Sequence, residues 1–145
     1  MNELYLAIVR ALRDMAFWEI RHFDLWNQNV LFIEEDTPWA RPAVFVEFGT
    51  INWETLKGQH IVQKGTGTVT LHIVTDWKGP TADGNPDMSY VLSLNDMICD
   101  IDRTVCLLRG ESFRNINLLE SHPNHNHEEI IETVEVFSVT YERRL

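Results

Sequence analysis

The stretch Thr68-Val69-Thr70-Leu71-His72-Ile73-Val74 decides the fold, because polar and apolar residues alternate along it as far as Ile73. A period of two is typical of a β-strand with one face in the core and one face toward solvent. We predict that the side with Val69, Leu71 and Ile73 is buried. The side with Thr68, Thr70 and His72 is predicted to be exposed.

Two apolar runs upstream predict further strands. The run Val30-Leu31-Phe32-Ile33 ends in a polar, turn-forming cluster, and Pro42-Ala43-Val44-Phe45-Val46-Glu47-Phe48 has its proline at the first strand position. We expect the second run to be the central strand. The residues from Ile51 to Lys64 show no period and are predicted to be irregular. Gly65-Thr66-Gly67 is predicted to be a turn, since phosphate-binding glycine loops follow a strand and open a helix.

Two amphipathic helices are predicted from apolar residues at three- and four-residue spacing. The first runs from Asn2 to about Met15 and ends near Ala16. The segment Phe17 to Phe23 fits either an extension of that helix or the start of a strand. The second helix begins at about Asp87, a suitable N-cap, and stops before Gly110. Its apolar positions are Val91, Leu94, Ile98, Ile101, Val105 and Leu108.

The last third of the chain predicts a β-hairpin, with Phe113 to Glu120 paired to Glu128 through Arg143 across the polar link 121–127. Both faces of the last strand carry apolar residues. We expect that strand to be covered on both sides near its end, either by the helices and another layer or by a neighbouring subunit.

Together these elements predict one domain over residues 1–145 of the α+β class. We expect a mixed, mainly antiparallel β-sheet of about five strands flanked by two helices, in the order α-β-β-β-α-β-β. Size and an apolar fraction of 44% are sufficient for one core.

Charge and cysteine content limit the partners and the compartment. The formal net charge of −10 disfavours specific nucleic-acid binding. Cys99 and Cys106 fall on one predicted helix about 10 Å apart, too far for a disulfide, so we expect free thiols beside the core stripe in a reducing compartment such as the cytoplasm. The sequence shows no signal peptide and no run long enough for a membrane span, which predicts no membrane partner.

Few residues suggest a metal site or a catalytic site. His122, His125 and His127 lie in a short polar link and could ligate a metal, although a solvated loop is the more common reading of such a link. His72 and Asp76 could form an acid–base pair, but an exposed histidine on an alternating strand is more common. Sequence motifs of hydrolases, phosphate loops and dinucleotide sites are absent. We therefore expect no enzyme activity and no cofactor.

Aromatic residues outside the periodic core positions suggest a subunit contact. Folding back over the core is an equally good reading. The loop Asp76 to Pro86 is rich in turn-forming residues, and we expect it to order against a neighbour with Trp77 as its anchor. The predicted interface residues are Trp39, Trp53, Trp77, Phe137 and Tyr141.

Three stretches give the chain a resemblance to the tail-completion or tail-terminator proteins of long-tailed bacteriophages and prophages. They are Asp24-Leu25-Trp26-Asn27-Gln28 continuing to Val30, the run Pro42 to Phe48, and the closing Glu132 to Tyr141. The resemblance implies a sheet flanked by helices that assembles with itself into a ring, often a hexamer. Such a ring caps the tail tube and joins it to the head connector.

The expected function is therefore that of a virion structural protein, which assembles in the host cytoplasm and remains in the tail. Its expected partners are other copies of itself, the tail-tube protein and the head-connector protein. Two alternatives stay open. One is a small metal- or ligand-binding protein that uses His122, His125 and His127, and the other is a host adaptor domain unrelated to phage.

Overall fold

A five-stranded mixed sheet and two helices form the protein. The computed structural model describes residues 1–27, 39–56, 61–76, 88–124 and 130–145. The order of the elements is the predicted α-β-β-β-α-β-β, and the class is α+β as predicted. The elements are α1 (Asn2–Arg13), β1 (His22–Leu25), β2 (Ala43–Leu56), β3 (Val62–Asp76), α2 (Met88–Cys106), β4 (Phe113–Asn124) and β5 (Ile130–Arg144).

The strands lie side by side in the order β1-β2-β3-β5-β4. β1 is parallel to β2, and every other neighbouring pair is antiparallel. The middle position belongs to β3, so the expectation that the run Pro42 to Phe48 forms the central strand is wrong. That run opens β2, which lies between β1 and β3. β3 takes the centre because all 15 of its residues pair with β5 while most also pair with β2.

Residues predicted to be irregular belong instead to β2 and β3. Ile51 to Leu56 pair with Val62 to Gly67 as a regular antiparallel ladder, so Gly65-Thr66-Gly67 lies within a strand and is not a turn. An irregularity between Phe48 and Ile51 shifts the register and breaks the period of two, which hides this strand in the sequence.

Side chains from β2 explain the glycine at position 65. A Cβ atom on Gly65 would lie 2.7 Å from Ile51 Cγ2 and 2.8 Å from Trp53 Cε3. The space above the strand is therefore already filled by the Ile51 and Trp53 side chains. Glycine is required here by close approach.

Both helices pack on the same face of the sheet and form one core with it. α1 buries Leu4, Ile8 and Leu12, and α2 buries Leu94, Met97, Ile101 and Val105. The side of β3 with Val69, Leu71 and Ile73 faces these helices, which confirms the buried half of the predicted alternation. Cys106 packs beside this core, whereas Cys99 is exposed on α2, so its predicted position beside the core is wrong; both thiols are free, as predicted.

A second and smaller apolar cluster lies outside this core. It consists of Ala43, Phe45, Val74 and Ile130, with Trp26 and Trp39 packed against them. Their strand positions alternate with those that face the helices, which places the cluster on the opposite face. Among the residues that the structure describes, no helix packs on this face, which we call the open face.

The expected exposure of His72 is wrong. His72 lies on the open face, yet it is only 7% exposed, because β5 and the neighbouring aromatic side chains surround it. The two-sided cover expected near the end of the last strand lies instead at its start, where Ile130, Ile131, Glu132, Val134 and Glu135 are buried. The expected position is wrong, because Arg143 and Arg144 at the end of β5 are exposed.

The run Phe17 to Phe23, which the sequence left open as a helix extension or the start of a strand, mostly joins α1 to β1. α1 ends at Arg13, and only His22 and Phe23 of the ambiguous run enter a strand, β1. The predicted strand Val30 to Ile33, the N-cap Asp87 and most of the loop Asp76 to Pro86 lie outside the described residues.

The outer strand β4 has two irregularities in its pairing with β5, between Arg114 and Asn117 and between Leu118 and Glu120. Asn115 at the first of them adopts a positive φ of 54°. Asparagine tolerates this left-handed conformation better than most residues do.

We predict that Gly65→Ala destabilises the fold by about 1–3 kcal/mol, because the added methyl group overpacks the site beside Trp53. Urea unfolding would measure the change. Thr66→Ala, on the exposed side of the same strand, should have a much smaller effect. Adding Trp53→Leu to Gly65→Ala should recover part of the loss, and no recovery would contradict the steric explanation.

Candidate functional site

A histidine between two carboxylates is the most organised polar group of the open face. His72 Nδ1 lies 2.6 Å from Glu132 Oε1, and His72 Nε2 lies 2.8 Å from Glu47 Oε1. Glu132 is buried, and its second oxygen accepts a hydrogen bond of 3.2 Å from Asn124 Nδ2. Glu47 is half-exposed, so this polar chain runs from the interior to the surface.

Three neighbouring strands place these groups together. His72 pairs directly with Phe45 of β2 and with Val134 of β5. Glu47 and Glu132 each lie two residues from those partners, so they are the diagonal neighbours of His72 on the same face. Diagonal neighbours in an antiparallel sheet are within reach of long side chains.

Aromatic rings cover the histidine. The Trp26 ring stacks on the His72 ring with centroids 3.7 Å apart and planes 5° from parallel. Trp26 and Trp39 both contact Phe45 edge-on, and Trp39 also stacks on His22. Stacked aromatic rings contribute attraction beyond the apolar area that they bury.

The hydrogen bonds indicate what this histidine does. Each ring nitrogen of His72 lies within hydrogen-bond distance of a carboxylate oxygen, so the ring is held from both sides. No ring nitrogen is left to accept a proton from a substrate, which a general base requires. We therefore interpret the group as a polar lock that ties β2, β3 and β5 together under Trp26.

The acid–base pair considered between His72 and Asp76 is not formed. Asp76 accepts a hydrogen bond from Arg41 Nε instead, and its backbone oxygen accepts one from the Tyr90 hydroxyl. Arg41 and Asp76 line a cleft of about 310 Å³ between α2 and the start of β2, together with Phe17, Trp18, Leu94 and Met97.

A pair of acidic residues lies on the helix side of the sheet. Glu135 of β5 is almost fully buried and accepts a 2.6 Å hydrogen bond from Ser121 Oγ. Burial, a hydrogen bond to Glu135 and the charge of that carboxylate raise the pKa of Asp102 on α2 to about 8. Asp102 Oδ1 is buried and receives no hydrogen bond from the described residues. A proton on Asp102 can therefore bridge the two carboxyl groups.

The predicted interface residues fall into three groups. Phe137 and Tyr141 are 0% and 2% exposed in the main core, so their side chains cannot form a contact surface of the folded subunit. They face the helices because β5 presents its odd-numbered side to them. Trp39 and Trp53 are half-buried, and Trp77 lies outside the described residues.

The candidate metal ligands are not assembled in the described part of the chain. His122 is an exposed residue of β4, with its Nε2 3.7 Å from Glu120 Oε1. His125 and His127 lie outside the described residues. Over residues 1–27, 39–56, 61–76, 88–124 and 130–145, no three histidine, cysteine or acidic side chains are grouped so that they could hold a metal ion.

The sequence contains weak signals for Glu47, Glu132 and Asp102, whose contacts were not predicted. Glu47 interrupts the apolar run Pro42 to Phe48, and Glu132 shares its face of β5 with the apolar Ile130 and Val134. Asp102 stands four residues after Ile98 and three before Val105, within the apolar stripe of α2. An acidic residue at a core position indicates a buried partner, but the sequence does not say which.

Compared with known proteins, the chain matches no family model and no curated sequence. None of the described helices is long and apolar enough to cross a membrane.

We predict that His72→Leu destabilises the protein by about 3 kcal/mol or more, because it leaves the Glu132 carboxylate buried without its partner. Urea unfolding at neutral pH would measure this. His72→Leu combined with Glu132→Leu should recover much of the loss, since an apolar pair needs no counter-charge. A loss below about 1 kcal/mol for His72→Leu would contradict the polar lock.

The raised pKa of Asp102 predicts a pH dependence. The folded protein keeps the Asp102 proton up to about pH 8, whereas the unfolded chain loses it near pH 4. The stabilising contribution of that proton is therefore complete below about pH 4 and disappears as the pH rises to about 8.

Asp102→Asn removes this titration. Its unfolding free energy relative to the parent should rise steadily between about pH 4 and pH 8 and then level off. Denaturant unfolding across this range measures the difference. The matched control is Asp96→Asn, an exposed acidic residue on the same helix, which should show a flat difference. A flat difference for Asp102→Asn as well would contradict the shared proton.

Proposed function

We propose that this chain is a non-enzymatic structural protein of a phage or prophage. Copies of it assemble into a ring at the end of the tail and join the tail tube to the head connector. Assembly takes place in the host cytoplasm, and the ring remains in the virion tail. The observation that carries the proposal is the open face of the sheet, which offers a broad surface for another protein.

The one-sided placement of the helices supports assembly. α1 and α2 share one core, and no described helix packs on the opposite face. Along the second half of β5 the open-face residues Val136, Ser138 and Thr140 are only half-buried, and so are Thr68 and Thr70 of β3. A sheet face with a mixed apolar and small polar surface is suited to packing against another protein layer.

Partly exposed tryptophans border this surface. Trp26 and Trp39 each have one side on the aromatic cluster and are half-exposed. Tryptophan is enriched among the residues that dominate protein interfaces. The two remain candidates for contacts with a neighbouring subunit or with a tail protein, in place of the buried Phe137 and Tyr141.

Polar organisation and charge are consistent with the same role. Both ring nitrogens of His72 are bonded to carboxylates, so neither is free for proton transfer. The bonds link β2, β3 and β5, so the polar lock is suited to holding these strands in register. The net charge of −10 would keep a passing DNA duplex from binding to the inner surface of a ring. The resemblance to tail-completion proteins adds the position within the tail.

We expect rings of one size when the purified protein is incubated with the tail-tube protein encoded near its gene. Negative-stain images would show them, and light scattering would give their mass. Free subunits can remain monomeric until tubes are present, so both conditions are needed. A monomer at every concentration, together with tubes that stay uncapped after incubation, would rule out the proposed function.

A further inference from the structure

Phe17 is an almost completely exposed aromatic side chain on a segment that is itself held in place. It is 87% exposed in the link between α1 and β1. Its neighbours are fixed, because the Trp18 indole N–H donates a 2.7 Å hydrogen bond to Asp100 Oδ2 and Ile20 is buried in the main core. The Phe17 ring therefore projects from an ordered base. An aromatic side chain presented in this way is typical of the anchors that dominate protein interfaces.

The cleft of about 310 Å³ between α2 and the start of β2 lies directly beside this ring, and Phe17 is part of its wall. Trp18, Leu94 and Met97 give the cleft an apolar lining. An apolar cavity of about 150 Å³ already holds a benzene molecule, so this cleft has room for a phenyl ring. One exposed apolar residue is ordinary, but here a projecting ring and an apolar cleft share one surface.

The charges that line the cleft also complement each other. Four charged side chains lie there, and two of them, Arg41 and Asp76, are bonded to each other. The other two are Glu19 and Arg21, which are both exposed. Within the described part of the chain, neither of these two has an ion-pair partner. One acidic and one basic group are therefore left beside the ring and the cleft.

We infer that this surface is a twofold contact between two copies of this chain. Phe17 of each copy enters the cleft of the other, and Glu19 of each copy faces Arg21 of the other. A twofold contact uses the same patch on both subunits, so the patch must be complementary to itself. A ring beside a cleft and an acid beside a base meet this condition.

The inferred contact goes beyond the proposed ring and does not depend on it, because a twofold contact joins two copies and then stops. Phe17 also lines the cleft that it enters, so the two phenyl rings meet in the centre of the contact. Aromatic pairs contribute attraction beyond the apolar area that they bury. The two ion pairs at the sides fix the relative orientation of the copies.

Truncation of the ring tests the contact. Phe17→Ser should weaken dimerisation of the purified protein at least about tenfold, since it removes the aromatic anchor. Sedimentation velocity over a concentration series would measure the dissociation constant. The matched control is Leu119→Ser, which changes a 58% exposed apolar residue on β4, at the opposite edge of the sheet from β1. The control should dimerise like the parent.

Charge exchange within one chain tests the twofold geometry. Glu19→Arg alone and Arg21→Glu alone should each weaken dimerisation, because like charges then face each other across the contact. Glu19→Arg combined with Arg21→Glu should restore it at the net charge of the parent, since both copies carry the exchange. Circular dichroism and the urea midpoint verify that every variant is folded.

Each outcome bears on the inference. A parent that stays monomeric up to about 1 mM overturns it. A Phe17→Ser variant that dimerises like the parent, or a folded double exchange that fails to recover, also overturns it. If Phe17→Ser impairs only the binding of tail tubes, Phe17 contacts the tube protein and the twofold contact is wrong. A parent that dimerises through Phe17 but never caps tubes supports this inference and overturns the proposed function alone.

Discussion

The pairing of β3 with strands on both sides is the constraint on which the rest of the structure depends. Because alternate residues of a strand face opposite ways, the register of β3 decides what lies in the helix core and what lies on the open face. A slip of one residue would turn His72 toward α1 and α2 and Leu71 toward the carboxylates. The bonds from His72 to Glu47 and Glu132 oppose that slip, since it would place His72 on the opposite face of the sheet from both carboxylates.

Local patterns in the sequence predict the parts of this fold that depend on near neighbours. The apolar stripe of α2 and the alternation in β3 specify their elements because each pattern repeats within a short segment. The second half of β2 is hidden, since its register shifts after Phe48 and the glycines opposite it resemble a turn. The burial of His72 is also hidden, because its partners are 25 and 60 residues away. A single strand cannot reveal which side chains two other strands will bring.

Polar groups are buried on both faces of the sheet, and each has a distinct consequence. On the open face, a histidine with two carboxylate partners holds three strands under an aromatic cover. On the helix face, burial and the neighbouring Glu135 raise the pKa of Asp102 to about 8, so we expect the contribution of this pair to stability to depend on pH. The bonds from His72 thus tie together the strands that form the open face. A surface held in this way loses little conformational freedom when another protein binds it.

The irregular pairing of β4 has a consequence for the solubility of the protein. β4 is an outermost strand, and a long regular edge is a template on which stray strands add. Its two irregularities leave five consecutive paired residues, Glu120 to Asn124, as the longest uninterrupted run. Fibril-forming segments are typically about six or seven residues long and regular. The edge therefore offers a short and kinked template, which disfavours the addition of stray strands at β4.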